Sequence, residues 1–428
     1  MNGGNARRIT CLGAVIVGGC GVAVGPNDAD GRRSTLNLST LGLSSESTYY
    51  ETNPNHLFEL AEFVDVTDES RVIRGNISGA NDVDVYDLGP VVPGDHIVVD
   101  MTGADSLDGA IALFDGDETL LLVNDHRNVY LGQAEPFIDL VVQHESDACF
   151  VAVCATPGYA SSGDYGMVAS KRYPTDLPDP RPDMVLLVFD GADNVRIGSR
   201  RPVNVPPFDA ANIDPAYTGQ TEVMVSEIVE GIREDYAGLD ITILSTSEGD
   251  TFERGMTRVF FGTYDEALLG VAENVDEFNA TTAQEAIVFT DTFAAFMRLD
   301  PSVRQMGQAI ANVSSHEIGH LLGMIHTKDS AGLMDVTASL SELLRNQAFA
   351  RSPIYSAVFP LGYQDGVQYL LDTLGGDPNL VFAQKARAQL RMLGPPEETG
   401  PPARTGLCLS SCCLHDHVAE DNANSAGP

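Results

Sequence analysis

At 428 residues the chain is long enough for two or three domains, each with its own core. Its 25 Lys and Arg against 61 Asp and Glu give a formal charge of −36, with only three lysines, Lys171, Lys328 and Lys385. A surface this acidic repels a phosphate backbone and anionic lipid headgroups, which excludes nucleic-acid binding and adsorption through a basic face. The 43% hydrophobic and 20% charged residues, spread rather than blocked, belong to a folded protein and not to an acidic disordered tail.

At the amino terminus Arg7 and Arg8 precede an apolar run from Ile9 to Val17. It is much shorter than the roughly 20 residues that cross a bilayer, so it reads as a signal-peptide core. The run ends in Val17-Gly18-Gly19-Cys20, which resembles the bacterial lipobox. That resemblance implies a signal peptide over 1–19, lipid on Cys20, and export to the bacterial cell surface or outer membrane, with membrane contact through that anchor alone. The alternative is an ordinary secretory signal that contains a cysteine, which gives a secreted protein. Residues 20–55, rich in Gly, Ser, Asn, Asp and Thr, show no periodicity and read as a flexible tether. Of seven cysteines, Cys11 leaves with the signal and Cys20 takes lipid, which leaves an odd five. Cys149 and Cys154, five apart in a strand-like run, face opposite sides and do not bridge each other without a bend.

Residues 56–170 alternate β-rich runs with turns: Ser70 to Ile77, Val83 to Leu88, His96 to Met101, Ala110 to Phe114, Thr119 to Val123, Phe137 to Gln143 and Ala148 to Val153. Pro93-Gly94-Asp95, Asp115-Gly116-Asp117 and Ser162-Gly163-Asp164 supply turn signals. With no amphipathic helix among them, an all-β sandwich is the economical reading. Asn81 to Tyr86, Val92-Pro93-Gly94-Asp95, Asp108 to Asp115 and Val123-Asn124-Asp125 resemble the pre-peptidase carboxy-terminal domain family of secreted bacterial peptidases. The resemblance implies an accessory module. Asp82, Asp84, Asp115, Asp117 and Asp125 offer hard oxygen ligands for structural Ca2+, but aspartates also suit turns for their own sake.

Residues 171–183, with Pro178-Asp179-Pro180-Arg181-Pro182, form a stiff linker and the clearest domain boundary. From 184 to 393 strands and helices alternate. Met184 to Phe189 suits a buried strand, and Gln220 to Tyr236 a helix closed by Gly238. Ile241 to Leu244, Arg258 to Phe261, Leu268 to Val271 and Ala286 to Phe289 are further β-rich runs, and Ser302 to Leu322 is a long helix. This order predicts an α/β domain with a mixed, mostly parallel sheet.

The long helix ends in His316-Glu317-Ile318-Gly319-His320-Leu321-Leu322-Gly323-Met324-Ile325-His326. Histidines at i and i+4 share a helix face and reach one metal ion, while Glu317, one residue round, reaches a water on that ion. Gly323 permits the positive φ that turns the chain and brings in His326 as third ligand. Three neutral imidazoles leave one position on Zn2+ for water, whose pKa the ion lowers to about 7.

The eleven-residue HExxHxxGxxH pattern, followed after eight residues by Met334 in Ala331-Gly332-Leu333-Met334-Asp335, resembles the metzincin zinc endopeptidases. The resemblance implies zinc on His316, His320 and His326, with Glu317 as general base and proton shuttle. It places Met334 as a hydrophobic floor, a substrate-binding antiparallel edge strand near Leu268 to Glu273, a pocket-shaping loop over 337–362 and a helix over Gly366 to Leu374. Thr327 after the third histidine is most like the matrixins. Val336 stands where several groups carry a tyrosine, with Tyr355 and Tyr363 as candidate replacements. No recognisable cysteine-switch propeptide precedes the domain. The tail, 394–428, is Pro- and Gly-rich and carries Cys408, Cys412, Cys413, His415 and His417, open to metal binding or a disulfide knot.

The sequence therefore points to an exported zinc endopeptidase with a protein or peptide substrate, its attacking water activated at zinc by Glu317. The competing reading is a non-catalytic surface binding or adhesion lipoprotein on a metzincin scaffold.

Overall fold

In the first half of the chain, alternating apolar residues fold into ten strands: β1 (Thr48–Tyr50), β2 (Glu62–Phe63), β3 (Arg71–Ile77), β4 (Val83–Asp87), β5 (His96–Thr102), β6 (Gly109–Asp115), β7 (Leu120–Asn124), β8 (Phe137–Val141), β9 (Cys149–Ala155) and β10 (Gly163–Arg172). The computed structural model describes residues 48–382 and 408–410, apart from 53, 67–69, 103–106, 128–132, 134, 160 and 173–174. The signal, Cys20, most of the tether, and Cys412, Cys413, His415 and His417 lie outside the described residues. Among the described residues no helix is long and apolar enough to cross a membrane.

The strands form two five-stranded sheets, β1-β3-β10-β5-β8 and β2-β4-β9-β6-β7, packed face to face as a sandwich. Ile73, Ile97, Val99, Met167, Ile111, Leu113 and Val151 meet between them. All seven expected strands form. Three more strands join them. β10 is ten residues long and central in its sheet, between β3 and β5. Its inward residues are Tyr165, Met167 and Ala169, and Gly163 and Asp164, expected as a turn, already pair with β3. β1 pairs with β3 inside the stretch expected as tether, so among the described residues Thr48–Tyr50 belong to the sandwich.

β6 reads Gly-Ala-Ile-Ala-Leu-Phe with all six residues buried, because its sheet is covered on both faces. One face meets the other sheet and the outer face meets the second unit, where the Phe114 ring lies 5.8 Å from that of Phe359. Cys149 points into the sandwich core and Cys154 into the outer layer, so they face opposite sides as expected and remain buried free thiols.

The second unit contains β11 (Asp183–Val188), β12 (Ala192–Val195), β13 (Val203–Val205), α1 (Ala210–Ile213), α2 (Thr221–Asp235), β14 (Ile241–Ser245), β15 (Thr257–Phe261), β16 (Leu268–Ala272), β17 (Glu285–Val288), α3 (Val303–Leu321), α4 (Leu340–Leu343), β18 (Arg351–Pro353), β19 (Tyr363–Asp365), α5 (Gly366–Leu374) and β20 (Cys408–Ser410). Its sheet runs β14-β11-β15-β17-β16-β20. The first four strands are mutually parallel and β16 is antiparallel to β17, the mixed, mostly parallel α/β sheet expected. Val185–Val188 of β11 and Val259–Phe261 of β15 are continuously apolar because α2 and α3 cover one face and the β12–β13 hairpin the other. The helices approach closely through small residues: a Cβ on Gly231 of α2 would lie 2.7 Å from Cβ of Ala311 on α3.

Two expectations need correction. β16 is antiparallel as expected but is not the sheet's edge, since β20 lies beyond it. The stretch 337–362 is not loop throughout: it contains α4 and β18, and β18 pairs with β19. The linker's end is also anchored. The Arg181 N–H donates to the Thr373 carbonyl, and its guanidinium to the Ala280 carbonyl.

Candidate metal centre

α3 carries three of the expected site residues. Ser302 caps it in a reciprocal box with Gln305, which fixes its start. Its far end is set by Gly323, whose φ of +100° is left-handed and whose Cβ, if present, would lie 2.8 Å from the Asp276 carbonyl oxygen and 2.8 Å from Glu277 Cα. Both conformation and space demand glycine there. Beyond the turn the chain doubles back, and Met324 N–H donates to the Gly319 carbonyl.

This turn closes the histidine cluster. His320 Nε2 lies 3.0 Å from His316 Nε2 and 3.1 Å from His326 Nε2. His316 Nδ1 donates to the Leu333 carbonyl at 2.6 Å and His320 Nδ1 to the Met324 carbonyl at 2.8 Å. With Nδ1 protonated, each Nε2 presents a lone pair toward the common centre. Tetrahedral zinc with Zn–N of about 2.0–2.1 Å has N···N edges of about 3.3–3.4 Å. The observed spacing is within about 0.4 Å of this, and lone pairs so close repel unless a cation lies between them, so the residues fit a bound ion. Burial pushes the His316 imidazole down to about 3, with His326 adding to it, and lowers His320 well below its usual range. Both therefore stay neutral, the form a metal requires.

Glu317 is fully buried against β16. A Cβ on Gly270 would stand 2.5 Å from its Oε1, so this glycine makes room for the carboxylate. Met334 lies against α3. Its Sδ would be 2.7 Å from a Cβ on Gly319, the residue between the two helical ligands, and its carbonyl accepts from Thr327 N–H. The turn around it works through the backbone, since Leu333 supplies the carbonyl that orients His316.

Several supporting residues had no sequence signal. Gln364 grips Ile325, the residue before the third histidine, at both ends: the Ile325 N–H donates to Oε1 at 2.8 Å, and Nε2 donates to the Ile325 carbonyl at 2.9 Å. Buried Asp276 donates its N–H to the His320 carbonyl, and its carboxylate accepts from Thr281 N–H and Gln284 Nε2. Asp335, beside Met334, accepts from the Asp329 and Thr337 amides and the Thr337 hydroxyl. The Gln364 and Asp276 contacts reach across to distant segments of the chain and the others lie in irregular chain, where periodicity is silent.

Of the two tyrosines, Tyr355 donates its backbone N–H to the His326 carbonyl at 3.0 Å. Tyr363 is turned elsewhere: its ring lies 4.0 Å beneath the Arg351 guanidinium, and its N–H donates to the Glu118 carbonyl of the sandwich. Arg351 also donates to the Asp117 carbonyl. The sandwich is thus a buttress for the segment that holds His326, and not only an appended module.

The five aspartates considered for calcium do not converge. Asp82 accepts from the Ser78 amide and hydroxyl, Asp115 from the Asp117 and Thr119 amides, Asp84 from Tyr165, and Asp125 pairs with His126. Among the described residues the single group of three or more side chains placed to share an ion is His316, His320 and His326. The aspartates act as turn and strand anchors.

No protein-family profile and no curated protein matches the chain. Among solved structures it is similar to the pre-peptidase C-terminal domain of a collagenase from Bacillus anthracis, at 12% identity over 28% of this chain and 100% of that one, with a TM-score of 0.21. It is also similar to archaemetzincin from Methanopyrus kandleri, at 16% identity over 39% of this chain and 87% of that one, with a TM-score of 0.23. Scores this low say nothing of chemistry, which the histidines and Glu317 have to carry by themselves.

Proposed function

We propose that the protein is a zinc-dependent endopeptidase that hydrolyses peptide bonds in extracellular or surface proteins. The supporting observation is the pairing of three convergent imidazoles, two with their tautomers set by carbonyls, with a buried carboxylate one residue from a ligand. A purely structural ion has no use for that carboxylate. Zinc held by His316, His320 and His326 supplies Lewis-acid polarisation and lowers the pKa of a coordinated water. Glu317 accepts the proton of the attacking water on its carboxylate and delivers it to the leaving amine nitrogen. β16, beside Glu317, is the strand on which an extended substrate would add, in the place that β20 takes in this structure. Export, and a lipid on Cys20, place this activity at the cell surface.

The test loads the full-length chain with zinc and measures cleavage of an unfolded protein, with and without chelator, against Glu317→Ala. Removal of a general base lowers the rate by about 10²- to 10⁴-fold, with zinc content unchanged. Full activity in Glu317→Ala, or no cleavage by any zinc-binding form of the chain, refutes the peptidase and leaves the adhesion reading.

A further inference from the structure

β16 is where an extended peptide would dock, yet it is already paired. Cys408–Ser410 runs parallel to it, with Cys408 opposite Leu268 and Ser410 opposite Gly270. Gly270 is the residue that abuts Glu317, so the segment crosses the strand at the level of the general base. His316, Glu317, His320 and His326 are at most 4% exposed. An edge strand with unpaired amides is an adhesive surface, and a chain's own tail is the nearest peptide to satisfy it. We propose that the carboxy-terminal segment around Cys408–Ser410 is an intramolecular occupant of the substrate edge and holds the protein in a self-blocked state. This rests on the peptidase reading for its consequence, though not for the pairing itself. Its direction is opposite to β17, the other neighbour of β16. The segment is tethered at its amino side by more than 20 residues of chain, 383–407, so it competes with substrate at an effective concentration in the millimolar range.

The experiment uses the full-length zinc-loaded protein and its Leu409→Pro variant. Proline lacks the amide a paired strand needs and lies in a segment outside both cores. Hydrogen exchange at Leu268–Ala272 reads the pairing, fluorescence anisotropy of a labelled unfolded peptide reads access, and cleavage reads activity. The proposal expects faster exchange in Leu409→Pro, with peptide affinity and kcat/KM both raised about tenfold. Unchanged exchange at Leu268–Ala272 overturns it. So does faster exchange with unchanged peptide affinity, which would mean the tail only protects an edge. Faster exchange and tighter binding with no cleavage upholds the docking inference and refutes the peptidase.

Discussion

Gly270→Ala isolates the positioning of Glu317 from metal binding. Gly270 is not in the left-handed region, so alanine meets no backbone strain and the only conflict is spatial. The added methyl would sit 2.5 Å from Glu317 Oε1, 2.8 Å from Cγ and 2.9 Å from Cδ. Comfortable contact is about 3.5 Å, so the carboxylate has to retreat by about 1 Å. A glutamate end swings at low cost, and the loss of stability is about 1 kcal/mol. A general base displaced by about 1 Å costs about 100-fold in rate. The expected signature is zinc content equal to wild type, a melting temperature lowered by a few degrees at most, and kcat/KM on an unfolded protein down about 100-fold. Metal analysis, calorimetry and initial rates on the same preparation measure all three. A rate within threefold of wild type would show that the Glu317 carboxylate can move freely without consequence, and the role assigned to it would fall.

Gln364→Leu leaves the buried Ile325 amide and carbonyl without their partner, so stability drops by about 2–3 kcal/mol and zinc affinity by about 10- to 100-fold; chelator competition showing wild-type affinity would remove Gln364 from the support of His326. Gly323→Ala forces a side chain into left-handed backbone against Asp276 and Glu277, and is expected to cost at least about 3 kcal/mol and to abolish stoichiometric zinc; a stably folded variant with full metal content contradicts it. Burial, reinforced by Glu51, Asp82 and Glu62 and opposed by the Tyr165 hydroxyl, raises the Asp84 carboxyl to about 7. A carboxyl raised in the folded state binds its proton more tightly there, so its contribution is full below about pH 4 and is lost as pH rises through 7. Asp84→Asn should therefore gain on the order of 2 kcal/mol over wild type at pH 8 and nothing at pH 4. An equal shift in melting temperature at both pH values would refute the titration.

The primary sequence determined what depends on local spacing. The i, i+4 histidines, Glu317 between them, the need for glycine at 323, the Met334 turn and the α2 and α3 helices follow from helical periodicity and backbone conformation, and they stand where the spacing puts them. So do seven strands of the sandwich and the opposed faces of Cys149 and Cys154, because alternation is itself a local property. Tertiary structure decided what depends on contacts between distant segments. β10 carries no clear alternation, since Gly163 and Gly166 interrupt it and Val168 stands among its inward residues Tyr165, Met167 and Ala169. The doubly buried β6 and the buttressing of the His326 segment arise only when the two units pack, since neither Arg351 nor Asp117 carries a local mark of its partner. Gln364 acts on a residue 39 positions away, and the tail strand on one 140 away, by the pairing of Cys408 with Leu268. A main-chain hydrogen bond needs no particular side chain, so no sequence pattern announces it.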